Sequence, residues 1–264
     1  MSFSFLFSLE AWQLMLILLA LMIICAYIGL FLGRRRPKES KMDSTILGSL
    51  FGLLGLLLAF TFSLSANFFG MRRELIVEES NNISTAILRA DLYRESDRQL
   101  FRKDFAQYVD ARIDYYGLKG DIKGILAAQN LSVEIQRRLW TRASLLSKDS
   151  GYFVASLQMI PALNNMIDIN NSRYYGDVVR LPDAIIYLLI LMACACSFFL
   201  GYTMTGKELF DWPLLVGFCL LTSLVVFVIF DLDRPRRGAI RLDKINHSII
   251  NLKQLFTEDE KAAN

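Results

Sequence analysis

Hydrophobic positions along this chain gather into four long runs, set as two pairs around a charged middle. The runs cover residues 12–32, 46–69, 184–202 and 213–230, and none contains Lys, Arg, Asp or Glu. Each is about 18 to 24 residues long, enough to cross a hydrocarbon core roughly 30 Å thick at about 1.5 Å per residue. The pattern predicts four membrane spans. It divides the chain into a first transmembrane hairpin (1–69), a helical extramembrane domain (70–183), a second hairpin (184–230) and a C-terminal segment (231–264).

The middle is patterned for helices. Span two opens near Asp43-Ser44, residues suited to cap a helix, and no breaker stands between Ile46 and Arg94. Beyond the apolar run, Leu75, Ile83, Ala86, Ile87 and Ala90 recur at roughly helical spacing. An unbroken helix over that stretch would be roughly 70 Å long. Further helices are expected over Asp97–Tyr116, Ser132–Leu146 and Phe153–Tyr175, with Gly117, Gly120, Gly124 and Gly151 as breaks. Pro182 opens span three, and Ile245–Phe256 is a last amphipathic stretch. No alternating β-branched run is long enough for a sheet. The fold class is an all-α membrane protein: four transmembrane helices with a helical extramembrane domain between spans two and three.

Composition changes this picture little. The 264 residues are 54% hydrophobic with a net charge of +3 and a mean hydropathy of +0.36. Basic and acidic residues nearly balance across the middle, which argues against a nucleic-acid surface. All four cysteines (Cys25, Cys194, Cys196, Cys219) fall within spans, where thiols behave as small apolar groups, and no disulfide framework or metal pair is suggested. The N-terminus lacks the charged start and cleavage site of a signal peptide, so it is expected to be retained as the first span. One histidine, His247, stands far from any cysteine, and no HExxH, CxxC, GxGxxG or phosphate-loop pattern occurs. Glu78 and Glu79 are neighbours on a helix and point different ways, so they form no carboxylate pair. Asp231 and Asp233, at a membrane exit, are candidate cation ligands. The residues give an enzyme no footing, and no cofactor or metal is expected.

Span two carries the most suggestive pattern. Thr45, Ser49, Gly52, Leu56, Phe60, Ser63 and Asn67 recur every three to four residues, making one face mostly small or polar with two bulky apolar residues midway. In a ring of such helices this face would line a conduit, with Leu56 and Phe60 as a dewetting constriction and Leu53, Leu57, Leu58 and Leu64 turned to lipid. Glu74 and Glu78 would continue the strip beyond the membrane and favour cations. The other reading is that the small, polar face, including Gly52 and Gly55, packs on span one or three.

Several segments resemble bacterial bestrophins. Leu53-Leu54-Gly55-Leu56-Leu57-Leu58-Ala59-Phe60, followed by Phe68-Phe69-Gly70-Met71-Arg72-Arg73, is similar to that family's second span. Asn164-Asn165-Met166-Ile167-Asp168 and Pro182 match more loosely, and Asp231-Leu232-Asp233-Arg234-Pro235 is similar to the acidic-then-Pro segment after its last span. The chain looks closer still to the bacterial bestrophin-like domain family, through Arg72-Arg73-Glu74-Leu75-Ile76-Val77-Glu78-Glu79, Leu88-Arg89-Ala90-Asp91-Leu92 and the same C-terminal motif.

The resemblance implies a homopentameric channel passing inorganic ions through a bacterial inner membrane, with Leu56 and Phe60 at an apolar neck. Gly52, where another bulky neck residue would be, implies a wider ring. Thr61 and Phe62 replace the polar residues that follow the family's Phe, and Arg236 replaces the Phe after its Pro, so calcium gating is not carried over. The implied partners are copies of the chain itself and the lipid bilayer. Orientation is contested. Arg34, Arg35, Arg36, Lys38 and Lys41 put the loop after span one in the cytoplasm, whereas the resemblance puts the large domain there. Arg72, Arg73, Arg180 and Arg234 flank the other side as closely, and the cytosolic domain is the reading adopted. The rival function is a non-conducting membrane scaffold or sensor that binds a partner through its helical domain.

Overall fold

The computed structural model describes residues 9–35, 44–118, 121–204, 212–234, 238–240 and 242–256. Eight α-helices occur among them: α1 (Ala11–Gly33), α2 (Ser44–Arg89), α3 (Glu95–Gly117), α4 (Ile122–Leu146), α5 (Phe153–Val178), α6 (Asp183–Thr203), α7 (Trp212–Leu232) and α8 (Asp243–Asn251). No strand occurs among the described residues. Four helices are long and apolar enough to cross a membrane, and this is an all-α, multi-pass membrane protein. The chain forms two compact units, Met1–Phe69 with Arg180–Ile240 and Gly70–Val179 with Arg241–Asn264. Helix α2 contributes to both.

In the first unit α1 packs chiefly on α6 and then on α7. Two glycines allow the closest approach. A Cβ at Gly29 would stand 2.0 Å from the Phe198 carbonyl oxygen, and one at Gly201 2.0 Å from the Ala26 carbonyl oxygen. Small residues let helix backbones meet where lipid and leucine are equally apolar. Met22, Ala26, Ala193, Cys196 and Cys219 fill the seam and are fully buried. The four cysteines are free, and two buried hydroxyls of the seam lie against sulfur. Ser197 Oγ lies 3.8 Å from Cys219 Sγ, and Ser223 Oγ donates to Met22 Sδ at 3.7 Å.

Helix α2 adds one stripe to this unit. Leu54, Thr61 and Ser65 are buried, and the Thr61 hydroxyl donates to its own helix at the Leu57 carbonyl, 2.7 Å away. Leu57, Leu58 and Leu64 flank the stripe and pack on the core. These three are therefore not the lipid-facing leucines that the face pattern predicted; Leu53, on the other side, is exposed.

The second unit follows amphipathic logic. Helix α3 turns Phe101, Phe105, Tyr108, Arg112 and Tyr115 inward, and α5 turns in Met159, Leu163, Met166, Asn170 and Arg173, each set at steps of three and four. Helix α4 begins at Ile122, ten residues before the predicted start. Gly124 is no break: its N–H, with that of Lys123, donates to the capping Asp121 carboxylate at 3.1 Å. Helix α2 ends at Arg89 and continues as a 3-10 turn over Ala90–Leu92. Helix α8 docks through Ile249 and Leu252, with Ser80 Oγ donating to the Ser248 carbonyl at 3.2 Å and Lys253 paired with Asp110 at 2.7 Å.

Candidate functional site

The face of α2 singled out by the sequence is the uncovered one. At about 100° per residue, the buried Leu54, Thr61 and Ser65 fall within about 20° of one line. Ser49, Gly52, Leu56, Phe60, Ser63 and Asn67 fall within about 60° of the opposite line. All six are exposed; Leu56 is 54% and Phe60 67% accessible. Among the described residues nothing lies within 4 Å of where a Cβ would stand at Gly48, Gly52 or Gly55, so none of these glycines serves packing there. Only 11% of the most apolar stretch of α2 is buried, against 33–39% for the other spans. Glu74 and Glu78 are exposed as well and continue the same face of the helix.

Adjacent to Glu78 in sequence, Glu79 turns the other way and is fully buried, as the one-residue step requires. Its carboxylate is the centre of a polar hub. Arg112 Nε donates to Glu79 Oε1 at 2.6 Å, with both side chains inaccessible. The Tyr116 hydroxyl donates to Glu79 Oε2, and Arg173 Nε stands 3.4 Å from the same oxygen. Arg112 also donates to Gln129 Oε1 at 2.9 Å and to the Tyr116 hydroxyl at 3.0 Å. Gln129 passes the chain on to Asn170 at 2.6 Å, and Asn170 and Gln136 both donate to the Tyr108 hydroxyl, at 3.0 and 3.1 Å.

Burial pushes the Tyr116 phenol up to about 12, Arg112 opposing and Glu79 adding to the shift. Its hydroxyl therefore stays protonated and serves as a donor. Burial alone would lower Arg112, but Glu79, Tyr116 and Tyr108 together raise it well above its ordinary value. Both groups are fixed in one protonation state, which suits a structural hub better than proton transfer.

The hub also clamps α2 to α5. Arg72 donates from Nε to the Gly176 carbonyl at 3.1 Å and from its terminal nitrogen to the Val179 carbonyl at 2.5 Å, covering the C-terminal carbonyls of α5. Arg173 returns a bond to the Arg72 carbonyl at 3.0 Å. In the neighbouring motif, Asp91 receives two bonds from one Arg102 nitrogen, at 2.8 and 3.0 Å.

The C-terminal motif proves to be a staple. Asp231 accepts from the Ala239 and Ile240 backbone N–H groups at 2.8 and 2.7 Å, one on each oxygen. A Cβ at Gly238 would stand 2.7 Å from that carboxylate, so only glycine fits the turn. Asp233 Oδ1 accepts from the Leu181 N–H at 3.3 Å, just ahead of α6. Arg234 donates to the Leu9 carbonyl, just ahead of α1. The two carboxylates are thus engaged with backbone rather than turned together toward a cation. No cluster of three metal-binding side chains occurs among the described residues. Pro235, Arg236, the basic stretch 36–41 and the Asp43 cap lie outside the described residues.

Sequence reasoning missed Arg112, Arg173, Gln129 and Asn170. The available signal was a charged or amide side chain in register with an apolar stripe, as in Phe105-Tyr108-Arg112-Tyr115.

No protein-family profile and no curated protein matches the sequence. Solved structures do match in fold. One variant of a bacterial bestrophin homolog from Klebsiella pneumoniae superposes with a TM-score of 0.67 at 12% identity, covering 90% of this chain and 98% of that one. Two other single-substitution variants of the same homolog give TM-scores of 0.68 at 12% identity and 0.66 at 13%, covering 90% of this chain and 96% and 98% of theirs. The protein is a membrane protein with a bestrophin-like fold.

Proposed function

We propose that the protein is a homo-oligomeric ion channel, with five copies arranged so that the uncovered face of each α2 lines a shared pore. The observation that carries this reading is the position of the small and polar face of α2. It lies opposite the stripe that the chain's own core uses, and no helix among the described residues covers it. Glycine, serine and asparagine facing lipid would forgo packing and leave polar groups without water, whereas a water-filled axis suits them. Leu56 and Phe60 form the apolar neck, and Ser49, Gly52, Ser63 and Asn67 line the pore on either side. The likeness to bestrophin structures supports the arrangement at the level of fold. In the same reading the protein resides in a bacterial inner membrane with its helical unit in the cytosol.

The competing reading is a non-conducting scaffold, favoured by the exposed Phe153, Val154 and Leu157 on α5. Ion flux from liposomes containing wild type, Leu56→Ala and Phe60→Ala separates the two. Trimming the neck is expected to raise flux several-fold, because widening an apolar constriction favours its wetting. Folded, oligomeric protein that passes no ions in any of the three forms would leave the scaffold.

A further inference from the structure

We infer that the groove between α1 and α7 is a binding site for an anionic phospholipid. Ile23, Ile24, Ala26, Tyr27 and Leu30 of α1 and Trp212 and Leu215 of α7 enclose about 220 Å³. That is below the roughly 300–1,000 Å³ of drug-sized pockets, and the lining is almost wholly hydrocarbon. Both walls belong to membrane spans, so the medium that fills the groove is lipid, and its size suits part of one acyl chain.

Charge and position choose the headgroup. Trp212 is the first residue of α7 and stands half exposed, with Tyr27 63% exposed across from it. Aromatic side chains with a polar edge favour the headgroup level. Arg34 follows α1 as its C-cap in right-handed helical geometry. At about 100° per residue it falls within about 20° of Tyr27 and one turn beyond Leu30, on the face that lines the groove. A lipid whose chain lies along Tyr27 and Leu30 therefore presents its phosphate to the Arg34 guanidinium, which is exposed. Arg35, one residue on, rests over the Phe31 ring at 4.5 Å. Anionic lipid is attracted by about 1 kcal/mol per basic residue at the surface, a preference of about fivefold over zwitterionic lipid. The site gives Arg34 a use that does not depend on which side of the membrane it faces.

The test uses two single-tryptophan forms of the full chain in phosphatidylcholine vesicles. One keeps Trp212 (Trp12→Phe, Trp140→Phe); the other keeps Trp12 (Trp140→Phe, Trp212→Phe), at the far end of α1. Each is titrated with phosphatidylglycerol brominated in its acyl chains, and separately with brominated phosphatidylcholine. Trp212 fluorescence is expected to reach half-quenching at an about fivefold lower mole fraction of the anionic lipid, and any difference at Trp12, whose end of α1 lies near Arg234, is expected to be unaffected by Arg34→Gln. Arg34→Gln is expected to remove the difference at Trp212, and Ile24→Phe, which fills the groove, to reduce quenching by both lipids. Coincident curves for the two lipids at Trp212 in the parent protein would mean ordinary boundary lipid only, and would overturn the proposal whatever the variants do.

Discussion

Glu78 and Glu79 are chemically identical and adjacent, yet they differ in every physical respect that matters. Glu78 is exposed on the outer face of α2, whereas Glu79 is buried among Arg112, Tyr116 and Arg173. Removing one member of a buried, hydrogen-bonded ion pair leaves the other charge without compensation, which typically costs about 3–5 kcal/mol. Glu79→Gln keeps the shape and an acceptor for Tyr116 but strands the Arg112 charge, so a loss near that range is expected. Glu78→Gln should change stability by no more than about 0.5 kcal/mol. Denaturant unfolding in detergent, followed by circular dichroism, measures both, and similar losses for the two variants would refute the hub. The same contrast explains why the sequence separates the two carboxylates without saying which is buried. A glutamate on an amphipathic helix is solvated by default, and only the partners from α3 and α5, distant along the chain, turn one of the two inward.

The glycines of the spans divide by element in the same way. Gly201 lets α6 meet the α1 backbone, so Gly201→Ala forces a Cβ to 2.0 Å from the Ala26 carbonyl oxygen. Overpacking of this kind costs about 1–3 kcal/mol. Gly52 meets nothing, and Gly52→Ala should stabilise the helix by up to about 1 kcal/mol. Thermal midpoints in detergent should therefore move in opposite directions, and a marked loss for Gly52→Ala would mean that a neighbouring helix packs against that position. Much at this scale was legible: four apolar runs gave four spans, and the unbroken helical pattern gave the length of α2. The start of α4 was not, because Gly124 reads as a break until Asp121 is seen to cap it. Nor could the pattern decide which face of α2 is buried. A stripe of Ser, Gly and Asn at helical spacing suits both a helix contact and a wet surface, and Leu57, Leu58 and Leu64, apparently lipid-facing, pack on the core.

For the whole molecule, a bestrophin-like fold at 12–13% identity means that the same shape is built here from largely different side chains. In this chain it is built from four apolar spans, close α1–α6 contact and an α2 clamped by Arg72 and Glu79. In the proposed pore, assembly turns a stripe on one helix into stacked rings, and a carboxylate that is merely solvated in one chain becomes part of a concentrated field. Glu74 and Glu78 are four residues apart, about 6 Å along the helix axis. That is within the roughly 8 Å screening length at physiological ionic strength, so the two rings would act together. At 1 M salt the screening length falls to about 3 Å and the rings would separate electrically. Cations should therefore be preferred, and the preference should weaken with salt. In planar bilayers under a KCl gradient, the wild-type reversal potential is expected to lie toward the potassium equilibrium potential at low salt and closer to zero at high salt. Replacing both residues in Glu74→Gln/Glu78→Gln should bring it near zero at either concentration, with Leu56→Ala added if the neck must be opened to see current. An anion-directed reversal potential, or a cation preference unchanged by the double substitution, would remove the acidic rings from the mechanism while leaving the neck to be judged by the flux measurement.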